Sequence, residues 1–555
     1  MNKKQIMMLS AAAVLLTGCS GKLGQLSSDY FNVTPNPLET QAGEVPATIN
    51  GMFPEKYMNK KAVVTVTPEL RFGGQAVRGT SATFQGEKVQ GNGQTVSYRI
   101  GGRYTMKTNF KYQPEMQQSE LYLTFDAKIG KKSVSVPAVK VATGVIATSE
   151  LYKRTLSSTQ GAIAQDAFQR VIEQKQEANV KFLIGQAQLR KSELQNNSVQ
   201  EFVRLLAEIA KDQEGKVLNG VEVSAYASPD GGYQLNEKLA GQREKVTGDY
   251  VQKQMKNAKA DAPVDTKYTA EDWEGFRELV AASDIQDKDV ILRVLSMYKD
   301  PEEREQQIKA ISSAFRELAD GILPQLRRAR MIANYELIGR DDEQILAQIK
   351  DDPSKLSVEE LLYGATLYDN DLNGAANAYQ KAVDLYPKDA RAYNNLATIA
   401  YKQGDYAKAK EWLQKALRVD RKVSEAHANL GLLALKEGNL SDAENYIARG
   451  SSANGVNEII GNLHLAQGKY AQAQQDFGSL KTNSAALAQL MNKDYAAAAN
   501  TLKGVANPDG TTAYLQAIVA SRIGNKSDAA SALEQALKLD PSLRSYANKD
   551  LELTK

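Results

Sequence analysis

Tyr393-Asn394-Asn395-Leu396-Ala397-Thr398-Ile399-Ala400-Tyr401-Lys402-Gln403-Gly404 has a counterpart 34 residues further on, His427-Ala428-Asn429-Leu430-Gly431-Leu432-Leu433-Ala434-Leu435-Lys436-Glu437-Gly438. The same step of 34 joins Tyr363, Ala397 and Gly431, then Ala375, Ala409 and Ala443, then Tyr379, Leu413 and Ile447. Small residues recur where two helices would cross, and large apolar ones recur where the gap between them needs filling. That pattern predicts stacked helix pairs, each burying its apolar face on the next. Proline closes the first unit at Pro387 and the last at Pro541. The final unit keeps the register through Ala517, Gly524, Ala529, Leu533 and Ala536. Degenerate units between are marked by Gly468-Lys469-Tyr470 and Lys493-Asp494-Tyr495, giving about six units from Val358 onward.

This period and its small-residue positions resemble tetratricopeptide repeats. The resemblance implies an α-solenoid over residues 346–555 that binds a protein or peptide on its concave face. The first helices supply the candidate groove residues: Tyr393, Asn394 and Asn395 in one unit, His427 and Asn429 in the next. Each is also compatible with a plain solvated position.

Upstream, the pattern changes to β-α-β-α. A Gln- and Ala-rich helix is predicted from about Ser158 to Glu177, a strand from Asn179 to Ile184, a helix from Val199 to Ala210, and a strand from Gly220 to Tyr226. The tight turn Ala227-Ser228-Pro229-Asp230-Gly231-Gly232 follows, then a helix from Gln234 to Gln254. Gly231, Asn236, Leu239 and Arg243 fall at the spacings of the OmpA-like peptidoglycan-binding domain, which residues 156–345 therefore resemble. In that family an arginine grips the diaminopimelate carboxylate of the stem peptide, a role that the resemblance places on Arg243. Guanidinium suits it, because its fork pairs bidentately with a carboxylate and stays charged. Two departures stand out. The aspartate that takes the ligand's ammonium is Ser228 here, with Asp230 two residues on as a substitute. A helical insertion is predicted at about 257–319, opened by a capping box from Thr269 to Asp272, and the domain would close with a basic strand through Leu323–Ile332.

The front is β. Period-two runs such as 62–67, 96–100, 121–125 and 134–136, broken by Gly73-Gly74, Gly91-Asn92-Gly93 and Gly101-Gly102, predict a β-sandwich over residues 29–155. Before it come Lys3-Lys4, an apolar run from Ile6 to Leu16, and Leu16-Thr17-Gly18-Cys19. The run is too short to span a bilayer as a helix and has the layout of a secretory signal. The tetrad resembles the bacterial lipobox, which implies a signal over 1–18, lipid on Cys19 and a tether over 19–28. No acidic cluster follows Cys19, which favours the periplasmic face of the outer membrane over the cell surface.

Composition removes several classes of function. Lysine plus arginine, 69, nearly balances aspartate plus glutamate, 66, so no general field for nucleic acid arises. With one cysteine and two histidines, His427 and His464, thiolate metal sites and most histidine-based catalysis lack their groups. No cofactor, metal or catalytic residue is expected. The reading is a multidomain, non-enzymatic lipoprotein of Bacteroidetes type that holds peptidoglycan and scaffolds protein partners. The alternative is an envelope assembly or secretion accessory whose OmpA-like domain has lost its ligand, as Ser228 suggests. A wall-processing enzyme would need paired catalytic carboxylates, and no motif supplies them.

Overall fold

The computed structural model describes residues 23–285, 287–310 and 316–554. Cys19 lies outside them. The chain forms two compact units, one joining the segment that ends at Asp166 to residues Tyr368–Lys555, the other running from Ala167 to Leu367. No helix among the described residues is long and apolar enough to cross a membrane.

The first unit opens with β-strands. A sheet β1-β3-β8 is made of Phe31–Thr34 (β1), Glu44–Phe53 (β3) and Gly102–Lys111 (β8). A second sheet runs β10-β9-β4-β6-β7, from Lys132–Thr143 (β10), Ser119–Ile129 (β9), Ala62–Phe72 (β4), Ala82–Gly86 (β6) and Gln94–Val96 (β7), with Gln75–Arg78 (β5) also on β4. Leu38–Glu39 (β2) pairs with Val145–Ile146 (β11). Alternate residues of β3 and β8 turn inward, as a period of two requires. The core they reach holds Phe53, Phe84 and Tyr104, with ring centroids 4.4 to 5.3 Å apart. The expected strand through Ile100 stops at Val96: Tyr98 and Ile100 lie in a turn, Ile100 73% exposed.

The rest of this unit is helical hairpins: Leu372–Leu385, then the pairs Ala390–Lys402 with Tyr406–Val419, Ser424–Glu437 with Leu440–Arg449, Val456–Ala466 with Tyr470–Phe477, Asn483–Met491 with Tyr495–Lys503, and Gly510–Arg522 with Lys526–Leu539. The 34-residue step has a steric cause. Ala397, Ala409 and Ala443 are buried at the crossings, and a methyl group added at Gly431 would sit 2.5 Å from Ile447 Cγ1.

The second unit carries the largest corrections. No helix forms over 158–177. Residues 159–169 have no regular secondary structure, and Val171–Lys181 is a strand, β12. The sheet order is β12-β15-β13-β14, from β12, Arg328–Ile338 (β15), Lys216–Tyr226 (β13) and Val264–Thr269 (β14), with only β13 and β14 parallel. The helices Asn197–Lys211 and Tyr233–Ala258 supply Phe202, Leu206, Val251 and Met255 to one apolar cluster with Val180, Val223 and Met331. The insertion is only partly helical, because it begins with β14, and Thr269 ends that strand instead of capping a helix. Asp272 alone caps Trp273–Ala282, accepting from Gly275 N at 2.9 Å. That helix packs with Lys288–Met297 and Pro301–Ala310 around Phe276, Val280, Ile291 and Ile308. The closing basic strand starts at Arg328; Leu323–Leu326 before it is a helical turn. Two further hairpin-forming helices, Asp342–Asp351 and Val358–Thr366, belong to this unit.

Replacing Gly431 by leucine forces a side chain into Ile447 and is expected to cost about 2 to 3 kcal/mol. Urea unfolding followed by helical circular dichroism reads this directly, and an unshifted midpoint would refute the close crossing.

Candidate functional site

The first helices of four hairpins, Ala390–Lys402, Ser424–Glu437, Val456–Ala466 and Asn483–Met491, face one segment of the same chain. Residues 147–165 run past the repeats from their C-terminal end towards Ala390, with Tyr401 the contact out of that order. At the start, Tyr546 Oη donates to Ala147 O at 2.9 Å, and Arg154 pairs with Asp540. Ser484 Oγ then meets Thr155 Oγ1 at 2.8 Å, and Tyr401 Oη donates to Leu156 O at 2.6 Å. Gln160 N donates to Glu458 Oε2 at 3.2 Å, and Asn462 Nδ2 to Thr159 Oγ1 at 3.2 Å.

Asparagines hold the centre. Ala162 N donates to Asn429 Oδ1 at 2.7 Å, and Asn429 Nδ2 donates back to Ala162 O at 2.8 Å. Asn395 holds Ala164 in the same two-bond manner, both at 2.9 Å. Asn394 Nδ2 adds a bond to Ala162 O at 3.0 Å, and Arg391 Nη1 reaches Gln165 O at 3.2 Å. A carboxamide has a donor and an acceptor side by side, so it pairs with a residue's N–H and C=O as a neighbouring strand would. Asn395 and Asn429 occupy equivalent repeat positions and hold alternate residues of the segment. Ala162 and Ala164 are buried, and Gly161 adopts φ +75°, where an added methyl would stand 3.0 Å from Asn429 Oδ1. Burial pushes the Glu458 carboxyl above its usual range, against the pull of the Gln160 amide and the Lys402 charge.

The predicted groove residues divide accordingly. Asn394, Asn395 and Asn429 bond to this strap, so the open concave face read from the repeats is an occupied one. Tyr393 packs on Trp412 and donates to Pro387 O, while His427 Nε2 lies 3.0 Å from Arg421 O. The strap escaped sequence reading because its glutamines and alanines favour helix on propensity alone. Gly161 was the one signal against a helix.

The second unit gathers a polar cluster where β13 meets the helix Tyr233–Ala258. Ser228 Oγ donates to Asp230 Oδ1 at 2.5 Å, so Asp230 places its carboxylate beside the position where the resemblance calls for one. Arg327 completes the group, with Nη2 on Asp230 Oδ2 at 2.8 Å and Nε on Ser228 Oγ at 3.2 Å. Asn236 is turned inward, Nδ2 donating to Gly231 O at 2.7 Å, and Leu239 is half-buried. Arg243 is 1% exposed. It donates to three main-chain carbonyls: Nε to Gln186 at 3.0 Å, Nη1 to Tyr226 at 2.8 Å and Nη2 to Leu183 at 3.3 Å. Its guanidinium also lies 5.1 Å from the Phe182 ring centroid. Burial, then the nearby Arg327 charge, lowers its pKa to about 10, with Asp230 opposing the shift. Arg243 therefore ties the loop after β12 to the end of β13. Asp230 and Arg327 are half-buried beside it. Sequence reading passed over Arg327, whose signal was the run Arg327-Arg328-Ala329-Arg330.

The hairpin array and its 34-residue period define a helical repeat protein over the C-terminal part. The tetratricopeptide repeat family matches there in two overlapping stretches, residues 365–422 and 400–464, so this region consists of tetratricopeptide repeats. Such arrays are typically non-catalytic recognition scaffolds. No curated protein matches the chain. Among solved structures, a tetratricopeptide repeat protein from Parabacteroides merdae is 17% identical, covering 39% of this chain and 91% of its own, with a TM-score of 0.29. PilF of Pseudomonas aeruginosa is 18% identical over 38% of this chain and 98% of its own, TM-score 0.27. YrrB, a repeat protein described as having an unusual peptide-binding site, is 20% identical over 38% of this chain and all of its own (100%), TM-score 0.21.

Asn429→Ala removes bonds to a buried N–H and C=O and should cost about 2 to 3 kcal/mol. Arg391→Ala removes one bond to the strap and a part-exposed ion pair to Asp389, and should cost about 1 kcal/mol. Chemical denaturation of the two variants side by side tests the ranking, and equal midpoints would refute it.

Proposed function

We propose that the chain is a non-enzymatic envelope scaffold, lipid-anchored through Cys19 at the periplasmic face of the outer membrane. In this reading, the second unit holds peptidoglycan and the repeats hold protein partners. The observation that carries wall binding is the Asp230–Arg327 pair beside buried Arg243. Arg327 supplies a guanidinium for a stem-peptide carboxylate, and Asp230, which it pairs with, supplies the anion for the ammonium of diaminopimelate. Membrane and wall attachments on one chain reinforce each other through effective concentration.

A second reading is favoured by Arg243 itself. Its donors are spent on carbonyls, which suits a domain that keeps the architecture and has given up the ligand. The full chain pelleted with purified sacculi separates the two. Under the first reading it co-sediments, and Asp230→Asn or Arg327→Gln weakens the affinity for sacculi about tenfold, equivalent to about 1.4 kcal/mol. Retention of the unsubstituted chain in the supernatant would establish the second reading and leave the repeats as the functional element.

A further inference from the structure

The strap satisfies most of the repeat face but not all of it. Glu458 is 8% exposed and Asn462 fully buried, yet Glu458 Oε1 and Asn462 Oδ1 have no hydrogen-bond partner. Both lie on the helix Val456–Ala466, opposite Thr159 and Gln160. Buried acceptors without donors are uncommon and costly. A few residues along, every polar atom that meets Ala162 and Ala164 is paired through the main chain, and the fit requires alanine-sized side chains there. The strap is thus a good occupant at one end of the face and an incomplete one at the other.

We propose that residues 155–165 stand in for a segment of a partner protein, which takes the same path when the strap lifts. The partner segment carries alanine- or glycine-sized residues at two alternate positions, read through their N–H and C=O groups by Asn395 and Asn429. Three residues before the first of these it carries a basic side chain, in the place of Thr159, whose ammonium donates to Glu458 Oε1 and Asn462 Oδ1. Lys402, the other charge acting on Glu458, does not bond to it, and the carboxylate keeps an open oxygen for the ligand. Selectivity comes from three features: small side chains where the face is closed, one cation where acceptors are free, and tolerance elsewhere because the main chain is what is bound. The inference rests on reading the repeats as a protein-recognition array. It is independent of peptidoglycan, so its failure with sacculus binding intact would overturn the partner alone.

The test uses the full chain and two fluorescent decapeptides, one with the sequence of residues 157–166 and one with lysine in place of Thr159. The strap is lifted by Ala162→Asp with Ala164→Asp, which put charges at buried positions without altering the face. Fluorescence anisotropy should show the lifted chain binding the strap peptide at least tenfold more tightly than the unsubstituted chain does. The lysine peptide should bind tighter again by threefold or more, and Asn395→Ala with Asn429→Ala should abolish both. A lifted chain of unchanged helicity that binds neither peptide would overturn the proposal. So would equal affinity for a peptide with leucine at both alanine positions. Should the lifted chain not fold, hydrogen exchange on the unsubstituted chain decides. Saturating lysine peptide should speed exchange of the Ala162 and Ala164 amides, and no acceleration would refute displacement.

Discussion

Two carboxamides facing a main chain are the constraint on which the first unit depends. A segment that crosses a buried face without belonging to a helix or sheet must find partners for every N–H and C=O, and unpaired groups there cost about 1 to 3 kcal/mol each. Asn395 and Asn429 provide those partners in matched pairs, 34 residues apart, so the helical repeat sets the register of a chain that is not helical. The requirement propagates outward. Ala162 and Ala164 must be small because the carboxamides draw the backbone close, and Gly161 must accept a left-handed φ to enter that path.

How much of this is legible in sequence follows from which interactions are local. The repeats were readable because helix crossing fixes alanine or glycine at Ala397, Gly431, Ala409 and Ala443, and the step of 34 exposes the pattern. The strand β13 and the helix Tyr233–Ala258 were readable for the same reason, since each buries one periodic stripe. The strap was not. Ser158 to Glu177 contains the glutamines and alanines of a good helix, and what holds it open is a set of asparagines more than 200 positions away, at sequence separations of 231 and 267. Tertiary bonds override intrinsic propensity here. The strand β14, Val264–Thr269, was missed because five of its six residues are exposed, and a strand without a buried face shows no alternation.

The polar cluster of the second unit shows the limit of carrying a role over by spacing. Arg243 stands where the resemblance puts it, but spacing specifies only a Cα position on a helix. The carbonyls of Leu183, Gln186 and Tyr226 decide where the guanidinium points, and they come from a loop and a strand end that no motif describes. The same neighbourhood gathers further charges. Ser228 lacks a carboxylate, yet its hydroxyl fixes Asp230, and Asp230 in turn draws Arg327 from the far end of the domain.

Buried polar groups serve opposite purposes in the two units. Around Arg243 each guanidinium nitrogen finds a carbonyl, and these bonds offset part of the cost of burying its charge. Three such bonds fix the turn that carries Asp230, which Arg327 meets in a half-buried pair. Along the repeats the bonding is complete only where the strap is alanine. Where it carries Thr159 and Gln160, oxygens of Glu458 and Asn462 remain unpaired, which lowers the stability of that contact relative to a ligand bearing one more donor. Satisfied polar burial makes a structural element, while incompletely satisfied burial leaves free energy for exchange. The first describes the turn around Arg243, and the second describes the groove at Glu458.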